Sequence, residues 1–172
     1  MPHDSTSAVH VIVVMGVAGA GKTTVGRALA DALGWSFIEA DDYHSAENVA
    51  LMRRGIALSD EDRMPWLAAV RGAIAATLAR SGRAVVACSA LKHAYRVALA
   101  AANATQSVRF VFLDASEDLV RERLAARRGH YAGAALVESQ LATLERPRDA
   151  IRLNAADTPA ALVAEVRAAL RL

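Results

Sequence analysis

The chain has 172 residues, of which 54% are hydrophobic and only 5% aromatic, and its formal net charge is +2. This length predicts one domain over residues 1–172, and the composition favours a helix-rich globular protein. No apolar run reaches the roughly 18 residues of a membrane span, and the slight charge does not indicate a nucleic-acid surface. The single cysteine, Cys88, excludes an internal disulfide, so we expect a cytoplasmic protein without membrane or nucleic-acid partners. Residues 1–8 are predicted to be a loose leader rather than a secretory signal.

The first predicted strand, residues 9–15, leads into a glycine-rich loop that reads G-x-x-x-x-G-K-T from Gly16 to Thr23. A helix is predicted over residues 22–33, because its apolar residues recur near i, i+3, i+4 and i+7. Strand, loop and helix in this order are the context in which the motif binds phosphates. The glycines let backbone N–H groups turn toward an anion, and the helix N-terminus adds unpaired donors. The motif therefore predicts a nucleoside triphosphate site.

Two side chains of this loop have predicted roles of their own. Lys22 can reach the β- and γ-phosphates, and the Thr23 hydroxyl can ligate Mg²⁺. No His or Cys cluster has the spacing of a metal site, so we expect Mg²⁺ to be the only metal. The remaining residues of this region predicted to bind the nucleotide are Gly16, Ala18, Gly19, Ala20, Gly21 and Thr24.

Strands and helices are predicted to alternate along the rest of the chain. This alternation predicts an α/β fold of three layers, a P-loop fold with a five-stranded parallel sheet flanked by helices. Asp62 is the predicted N-cap of the long third helix, which puts Pro65 in its first turn. Further strands are predicted at 36–39, 84–88, 108–113 and 150–154, and further helices at 46–54, 63–80, 93–102, 117 to about 127, 133–145 and 159–171.

Ligands of such sheets bind beyond the carboxyl ends of the strands, where several polar residues of this chain fall. Asp41 and Asp42 follow the second strand, and a carboxylate there can orient an acceptor hydroxyl and take its proton. The pair can equally form a turn or a helix cap. Because the phosphate loop lies close by, we favour a catalytic role for Asp41 and leave both interpretations open for Asp42.

Polar residues of the following helices are candidates for the same cleft. His44 and Asn48 are four apart and can present both side chains to a polyol, although surface polarity or capping would explain them too. Arg63 can form a solvated ion pair or clamp an anion. Lys92 and Arg96, also four apart, are predicted to point to one place, which suggests an anionic acceptor. An exposed basic helix face is the alternative.

The arginines after the fourth strand divide by helical angle. At about 100° per residue, Arg123 and Arg127 share the apolar sector of the helix, whereas Arg121 and Arg128 fall outside it. Long arginine stems can lie over apolar surface while the guanidinium reaches a ligand. We expect Arg127 to face the nucleotide, with Arg123 as a second candidate. Residues 127–140 are predicted to form a small mobile lid that keeps water from the γ-phosphoryl group.

Other conspicuous residues have ordinary explanations. Asp114 ends an apolar run, as a Mg²⁺-binding aspartate does, but we predict a turn role for it. Cys88, Trp35 and Trp66 are predicted to be core or packing residues.

Several segments together resemble the gluconokinase family over about residues 9–147. The phosphate loop is shared with many enzymes, whereas the remaining segments are far more specific. They read D-D-Y-H at 41–44, D-x-D-R-x-P-W-L at 60–67, S-A-L-K-x-x-Y-R at 89–96, R-x-G-H-Y at 127–131 and S-Q-x-x-x-L-E at 139–145.

The resemblance implies transfer of a phosphoryl group from ATP to the 6-hydroxyl of D-gluconate, in the structural group of shikimate and nucleoside monophosphate kinases. It also implies a homodimer, and a place in gluconate catabolism that feeds the pentose phosphate and Entner–Doudoroff routes. By analogy Asp41 activates the hydroxyl, with Lys22 and Arg127 as further catalytic residues. By the same analogy, the candidates for holding the substrate are His44, Arg63, Lys92, Arg96 and His130. Asn48 is a further candidate, from its spacing to His44 alone.

The sequence departs from the gluconokinase pattern at several positions. Ser45 and Ala57 stand where prolines are common, Leu51 where a lysine is common, and Val97 where an aspartate is common. Residues 130–133 read H-Y-A-G instead of H-F-M-P, which should loosen the closed lid by on the order of 1 kcal/mol. These departures bear on turnover and affinity more than on the type of reaction.

Three alternatives remain open at this point. A kinase for another small hydroxy acid, such as shikimate, would keep the loop and change the acceptor contacts. A nucleotide switch would lack an acceptor cavity and should carry a guanine-specificity motif such as N-K-x-D, which this sequence lacks. An inactive gluconate sensor would explain the lid departures.

Overall fold

The computed structural model describes residues 9–101, 107–126 and 134–172. Within these residues the elements agree with the predicted ones to within two residues at most boundaries. The strands are β1 (Val9–Met15), β2 (Ser36–Glu39), β3 (Ala84–Ala87), β4 (Ser107–Asp114) and β5 (Ile151–Asn154). The helices are α1 (Lys22–Leu33), α2 (Ala46–Arg53), α3 (Asp60–Ser81), α4 (His93–Ala100), α5 (Glu117–Ala126), α6 (Ala134–Thr143) and α7 (Pro159–Leu170).

The five strands form one parallel sheet in the order β2-β3-β1-β4-β5. In the register of the central strands, Val13 lies opposite Val86 on one side and Phe110 on the other. Residues 11–15 of β1 and all of β3 are continuous apolar runs, which is typical of strands covered on both faces. The predicted five-stranded parallel sheet is therefore confirmed, and the carboxyl ends of all its strands lie at one edge.

Helices cover both faces of the sheet, because alternate residues of β1 enter two different cores. Ile12 packs in the core that contains Leu29 of α1 and Leu162 of α7. Val13 packs in the core that contains Ile74 of α3 and Leu99 of α4. The result is the predicted three-layer arrangement. No helix in the described part of the chain is long and apolar enough to cross a membrane.

The predicted packing residues lie in or against these cores. Cys88, directly after β3, is fully buried, and burial raises the pKa of its thiol to about 12. Trp66 is buried in the second core and its indole N–H donates to the Ala40 carbonyl at 2.7 Å. Trp35 packs against the first core, with the guanidinium of Arg83 over its ring.

The start of α3 differs from the prediction by three residues. Its N-cap is Ser59, whose hydroxyl accepts from the Asp62 N–H while the Asp62 carboxylate accepts from the Ser59 N–H. This reciprocal pair is a capping box, so Asp62 is the third residue of the helix rather than its N-cap. Pro65 consequently lies inside the helix rather than in its first turn. At this interior position its missing N–H removes one helical hydrogen bond.

Candidate functional site

The phosphate loop connects β1 to α1 at the carboxyl edge of the sheet. Gly21 is the N-cap of α1 and has a φ of 100°, a conformation that residues with a Cβ rarely adopt. Gly16 has a φ of 147°, and a Cβ added there would lie 2.9 Å from the Leu113 carbonyl oxygen. Lys22 Nζ donates to the Val17 carbonyl at 3.0 Å, so the side chain folds back over the loop. The loop therefore has the conformation that its motif predicts.

A cavity of about 760 Å³ opens beside this loop. It is bounded by the loop, by the segments that follow β2 and β3, and by one side of α6. The charged and polar side chains that could bind or activate a ligand form one part of its wall. That wall includes Lys22, Thr23, Asp41, His44, Arg63, Ser89 and Gln140.

A carboxylate lies directly on the loop, and the sequence analysis missed it. The Thr23 hydroxyl donates to Glu39 Oε2 at 2.6 Å. Glu39 is the last residue of β2 and is separated from β1 in the sheet only by β3. The position of Glu39 at a strand end is the sequence signal that could have identified it as a candidate, as it did for the two aspartates that follow. Thr23 and Glu39 together present two oxygen ligands beside the phosphate cradle.

Asp41 lines the same cavity and lies in a 3₁₀ turn of residues Ala40–Tyr43 that directly follows β2. Its side chain is 71% exposed, so the carboxylate is accessible to a ligand. Asp42, in the same turn, is exposed and does not line the cavity. The two aspartates therefore have different environments, and only Asp41 has the placement expected of a catalytic base.

His44 follows this turn and is fixed by packing. Its ring stacks on Trp66 with centroids 4.4 Å apart, and Nε2 lies 3.9 Å from Asp41 Oδ1. The pKa of His44 is lowered, mainly because the ring is buried; Asp41 opposes this shift and Arg63 adds to it. Nδ1 is buried without a hydrogen-bond partner among the described residues. The favoured form of His44 is therefore the neutral ring, which can accept a hydrogen bond as well as donate one.

The predicted pairing of His44 with Asn48 on one helix face is wrong. His44 precedes α2, whereas Asn48 is buried in its first turn and donates from Nδ2 to the Asp62 carbonyl at 2.9 Å. Asn48 does not line the cavity, because its amide joins α2 to the start of α3. Its position in the fold is that of a structural residue.

Arg63 and Lys92 lie near one another around the ring of Tyr95. Arg63 lines the cavity, and its Nε donates to the Leu58 carbonyl at 3.3 Å. Lys92 Nζ instead contacts both carboxylate oxygens of Asp60, at 2.8 and 2.9 Å, and does not line the cavity. Hydrogen bonds from Lys92 and Tyr95 lower the pKa of Asp60, and the same pairing raises the pKa of Lys92. Arg63 is therefore the cation of this group that faces the cavity.

The prediction that Lys92 and Arg96 point to one place is also wrong. Arg96 is buried, and its Nη1 donates to the carbonyls of Ala90 at 2.9 Å and Leu91 at 3.2 Å. Ala90 has a φ of 45°, which is strained for a residue with a Cβ. Arg96 thus holds the turn that places Ser89 in the cavity wall, rather than contacting the cavity itself.

Arg123 and Arg121 lie on different sides of α5, as their helical angles predict. Arg123 donates from Nη1 to the Ala20 carbonyl at 3.0 Å and from Nη2 to the Ala155 carbonyl at 2.7 Å. It lines a second cavity of about 300 Å³, between the phosphate loop and the start of α7. Arg121 lies on the outer side, paired with Glu117 and Glu138. Arg127, His130 and the first half of the predicted lid, residues 127–133, lie outside the described residues. The second half, residues 134–140, belongs to α6 and packs on the core through Val137, so this part is not the separate lid that was predicted.

Asp114 does not have the predicted turn role. Its carboxylate ends β4 and accepts hydrogen bonds from Arg146 at 2.8 Å and from Arg152 Nε at 2.8 Å. Burial raises the pKa of Asp114, but the hydrogen bonds from the two arginines outweigh it, so the pKa is lowered. Asp114 therefore ties β4 to β5 and to the segment after α6.

The described residues contain no group of three or more His, Cys, Asp or Glu side chains that could hold a metal ion. A cation at this site would instead share the Thr23 and Glu39 oxygens with ligand phosphates and water. The cavity and its edge thus offer an anion cradle with a lysine, oxygen atoms that could hold a divalent cation, and an exposed carboxylate. This combination can bring a nucleoside triphosphate and a small hydroxylated acceptor together.

Comparisons with known proteins agree with this geometry. Residues 11–147 match a family described as AAA domain. A gluconokinase from Gluconobacter oxydans is 45% identical over 138 residues, which cover 80% of this chain and 76% of that protein. The crystal structure of a gluconokinase from Sinorhizobium meliloti 1021 has a TM-score of 0.83 and 43% identity, over 94% of this chain and 91% of that one. An unliganded sugar kinase from Janibacter sp. HTCC2649 has a TM-score of 0.84 and 41% identity, over 95% of both chains.

The fold and the site define a P-loop phosphotransferase. Within that class, the identities of 40% and more to gluconokinases over most of the chain are decisive. The chain belongs to the gluconokinase family.

Proposed function

We propose that the protein transfers the γ-phosphoryl group of ATP to the 6-hydroxyl of D-gluconate, forming 6-phospho-D-gluconate and ADP. The observation that carries the proposal is a single cavity lined both by the phosphate loop and by the exposed carboxylate of Asp41. Membership of the gluconokinase family supports gluconate as the acceptor.

In the proposed mechanism the protein positions the two substrates and stabilises the transferred charge. Backbone N–H groups of the loop hold the phosphates, apart from those of Gly16, Ala18 and Ala20, which bond within the protein. Lys22 exchanges the Val17 carbonyl for phosphate oxygens. Asp41 accepts a hydrogen bond from the 6-hydroxyl, which orients one oxygen lone pair toward phosphorus in line with the leaving ADP. As the new O–P bond forms, the hydroxyl proton passes to Asp41.

Thr23 and Glu39 fit a magnesium ion. Mg²⁺ prefers oxygen ligands and is commonly held by one or two protein oxygens plus phosphates and water. The 2.6 Å contact between the Thr23 hydroxyl and Glu39 Oε2 brings two such oxygens to the loop. When bound, the cation would neutralise charge on the β- and γ-phosphates. We therefore add Glu39 to Thr23 as the proposed magnesium site.

Arg63 is the proposed partner of the gluconate carboxylate. It lines the cavity, and no carboxylate of the described residues lies within ion-pairing distance of its guanidinium. His44 lies beside Asp41 and can bond a gluconate hydroxyl through Nε2. Lys92 can join them only if it leaves Asp60, whereas Arg96 and Asn48 support the cavity wall through backbone carbonyls. His130 remains a proposed substrate ligand, on the resemblance alone.

The nucleoside of ATP is proposed to occupy the second cavity. Arg123 separates this cavity from the first, with its guanidinium between the loop and the Ala155 carbonyl. That position suits a cation near the adenine or the α- and β-phosphates. Arg127, four residues later in the sequence, is proposed to reach the transferred phosphoryl group from the lid. The moving part of the proposed lid is confined to residues before α6, because Val137 of that helix is buried in the core.

The biological setting follows from the same proposal. The product would feed the pentose phosphate and Entner–Doudoroff routes, and the protein would act as a homodimer in the cytoplasm. A single, fully buried cysteine supports a reducing compartment. Light scattering on the purified protein tests the dimer.

A coupled ADP-release assay tests the proposed function. Gluconate, shikimate and nucleoside monophosphates are compared as acceptors at saturating Mg·ATP. We expect gluconate to give the highest kcat/KM by at least about 100-fold, because charged contacts left unpaired by a wrong acceptor are costly. A preference for shikimate would identify a different kinase. ATP turnover independent of any acceptor would identify a switch, and gluconate binding by calorimetry without ADP release would identify a sensor.

A further inference from the structure

Gln140 of α6 is joined directly to the phosphate loop. Its Oε1 accepts a hydrogen bond from the backbone N–H of Ala18 at 2.6 Å, across 122 residues of sequence. The side chain is partly buried and lines the cavity that also contains Lys22 and Asp41. The loop motif does not require such a residue. Gln140 belongs to the S-Q-x-x-x-L-E segment and ends the predicted lid, but no role of its own was predicted for it.

Ala18 marks the end of the loop that faces the acceptor. Ala18 and Lys22 line the first cavity, beside Asp41, whereas Ala20 and Thr24 line only the second cavity, beside Arg123. Phosphates bound along the loop therefore run from the second cavity toward the first. The phosphoryl group nearest Ala18 is the terminal one, which is the group to be transferred.

The amide of Gln140 has unused hydrogen-bond donors at this place. Because Oε1 accepts from Ala18, the donors on Nε2 are the part of the amide that is left for a ligand. No acceptor for Nε2 is found among residues 9–101, 107–126 and 134–172. A neutral amide also places two N–H groups beside a triphosphate without the repulsion that a carboxylate would introduce there.

The position of Gln140 is fixed by contacts at both ends of its helix. Val137, one turn earlier, is buried in the core. After the helix, the Glu145 N–H donates to the Leu91 carbonyl at 2.9 Å, and Glu145 Oε2 accepts from the His93 N–H at 2.6 Å. These contacts hold α6 against the β3–α4 turn, so the amide is placed before any ligand arrives, as an electrostatic catalyst requires.

We propose that Gln140 is a catalytic residue, whose Nε2 donates a hydrogen bond to an oxygen of the γ-phosphoryl group while Oε1 stays on the Ala18 N–H. The proposal rests on the proposed binding of ATP by the loop, but not on gluconate as the acceptor. The competing explanation is that Gln140 only satisfies the Ala18 N–H and has no part in transfer.

The substitution Gln140→Glu separates the two explanations. A glutamate keeps an acceptor for the Ala18 N–H, loses both donors, and places a negative charge beside the terminal phosphate. We expect kcat to fall about 100-fold or more, as for loss of a donor to transition-state charge. Affinity for a non-hydrolysable ATP analogue should fall at least about 10-fold, whereas affinity for ADP should change less than about 2-fold, because ADP lacks the γ-phosphate.

Gln140→Met and Glu138→Gln complete the experiment. Methionine removes the donors and the acceptor without adding charge, so it should also lower kcat, with a smaller loss of analogue affinity. Glu138 is an exposed residue of the same helix that pairs with Arg121, and its substitution should leave both affinities and kcat unchanged. Thermal melting without nucleotide checks that each variant is folded.

The outcomes are distinguishable. Wild-type kcat and an unchanged ratio of analogue to ADP affinity in Gln140→Glu would overturn the proposal and leave the structural role. If that variant does not fold, unchanged kcat in Gln140→Met overturns it equally. If the wild-type protein does not phosphorylate gluconate, the two affinities still decide the role of Gln140, so this result and the failure of the proposed function cannot be confused.

Discussion

The two sides of the cavity are built in different ways. The donor side, residues 16–23 with Arg123, is made mostly of backbone, and its geometry depends on glycines at fixed spacing and on the start of α1. The acceptor side consists of side chains on separate elements, principally Asp41, His44 and Arg63. Several polar neighbours of the acceptor side bond to the protein instead of facing the cavity.

The contrast concerns how a site acquires its charge. On the donor side, N–H groups that the helix leaves unpaired attract the anion, so the short motif is sufficient. On the acceptor side, each charged group has possible partners within the protein, and the packing decides which of them remain for a ligand. Lys92 and Arg63 have the same formal charge and contact the same tyrosine ring, yet only Arg63 lines the cavity. Substitutions on the acceptor side should therefore leave nucleotide binding on the donor side unchanged.

Lys22→Ala should have the largest effect. Removing the only side-chain cation of the loop should lower kcat by about 1,000-fold or more, at the upper end of losses for a single charge-stabilising donor. The ADP-release assay with gluconate measures this loss. The melting temperature without nucleotide should stay within a few degrees of the wild type, because the loop backbone is held by its own turns. Retained turnover would show that the donor side does not depend on this lysine.

Asp41→Asn should come next, with kcat for gluconate at least about 100-fold lower, since the amide cannot take the hydroxyl proton. Affinity for the ATP analogue should be unchanged, because Asp41 belongs to the turn after β2 and not to the phosphate loop. Nucleotide titrations of the variant check this independence. A large loss of nucleotide affinity, or near-normal turnover, would contradict the role proposed for Asp41.

Arg63→Ala and Arg96→Ala form a matched pair that sharpens the comparison within the acceptor side. Arg63→Ala should raise KM for gluconate about 10-fold or more with little change in stability, since it loses a contact to a charged ligand. Arg96→Ala should instead lower the free energy of unfolding by about 2 kcal/mol, because two buried carbonyls lose their donor. Steady-state kinetics and urea unfolding of both variants measure the two effects. The reverse pattern would restore Arg96 as a substrate ligand.

The smallest predicted effect is the pH dependence caused by His44. Its pKa is lowered in the folded protein, so the unfolded chain binds more protons at mildly acidic pH, and stability should fall as the pH drops below about 6.5. His44→Gln should reduce this slope while also losing the stack on Trp66. Urea unfolding at several values between pH 5 and pH 7.5 gives both slopes. Equal slopes would mean that folding does not change the pKa of His44.

Sequence reasoning predicted most of the fold because its signals are local. The apolar runs of β1 and β3, the glycine loop and the periodicity of α1 each specify an element within a few residues. The start of α3 was misplaced since Ser59 and Asp62 can both cap a helix; the reciprocal bonds between the two residues make Ser59 the N-cap.

The acceptor residues were predicted less well because their partners are distant in sequence. Asn48 bonds to Asp62 and Lys92 to Asp60, 14 and 32 residues apart, and no spacing rule contains such pairs. Glu39 and Gln140 were missed for the same reason, since their significance lies in contacts with Thr23 and Ala18. Asp41 was correctly placed in the cavity because its signal, the end of a parallel strand, is a property of the fold.

The burial of Cys88 has a practical consequence. A thiol with a pKa near 12 and no exposed surface resists alkylation, so the folded protein should react with maleimide dyes hardly at all. A second cysteine introduced at an exposed site, such as Glu138 on α6, would then be labelled selectively. With an environment-sensitive fluorophore there, nucleotide binding to the intact protein can be followed in real time through the change in the surroundings of α6.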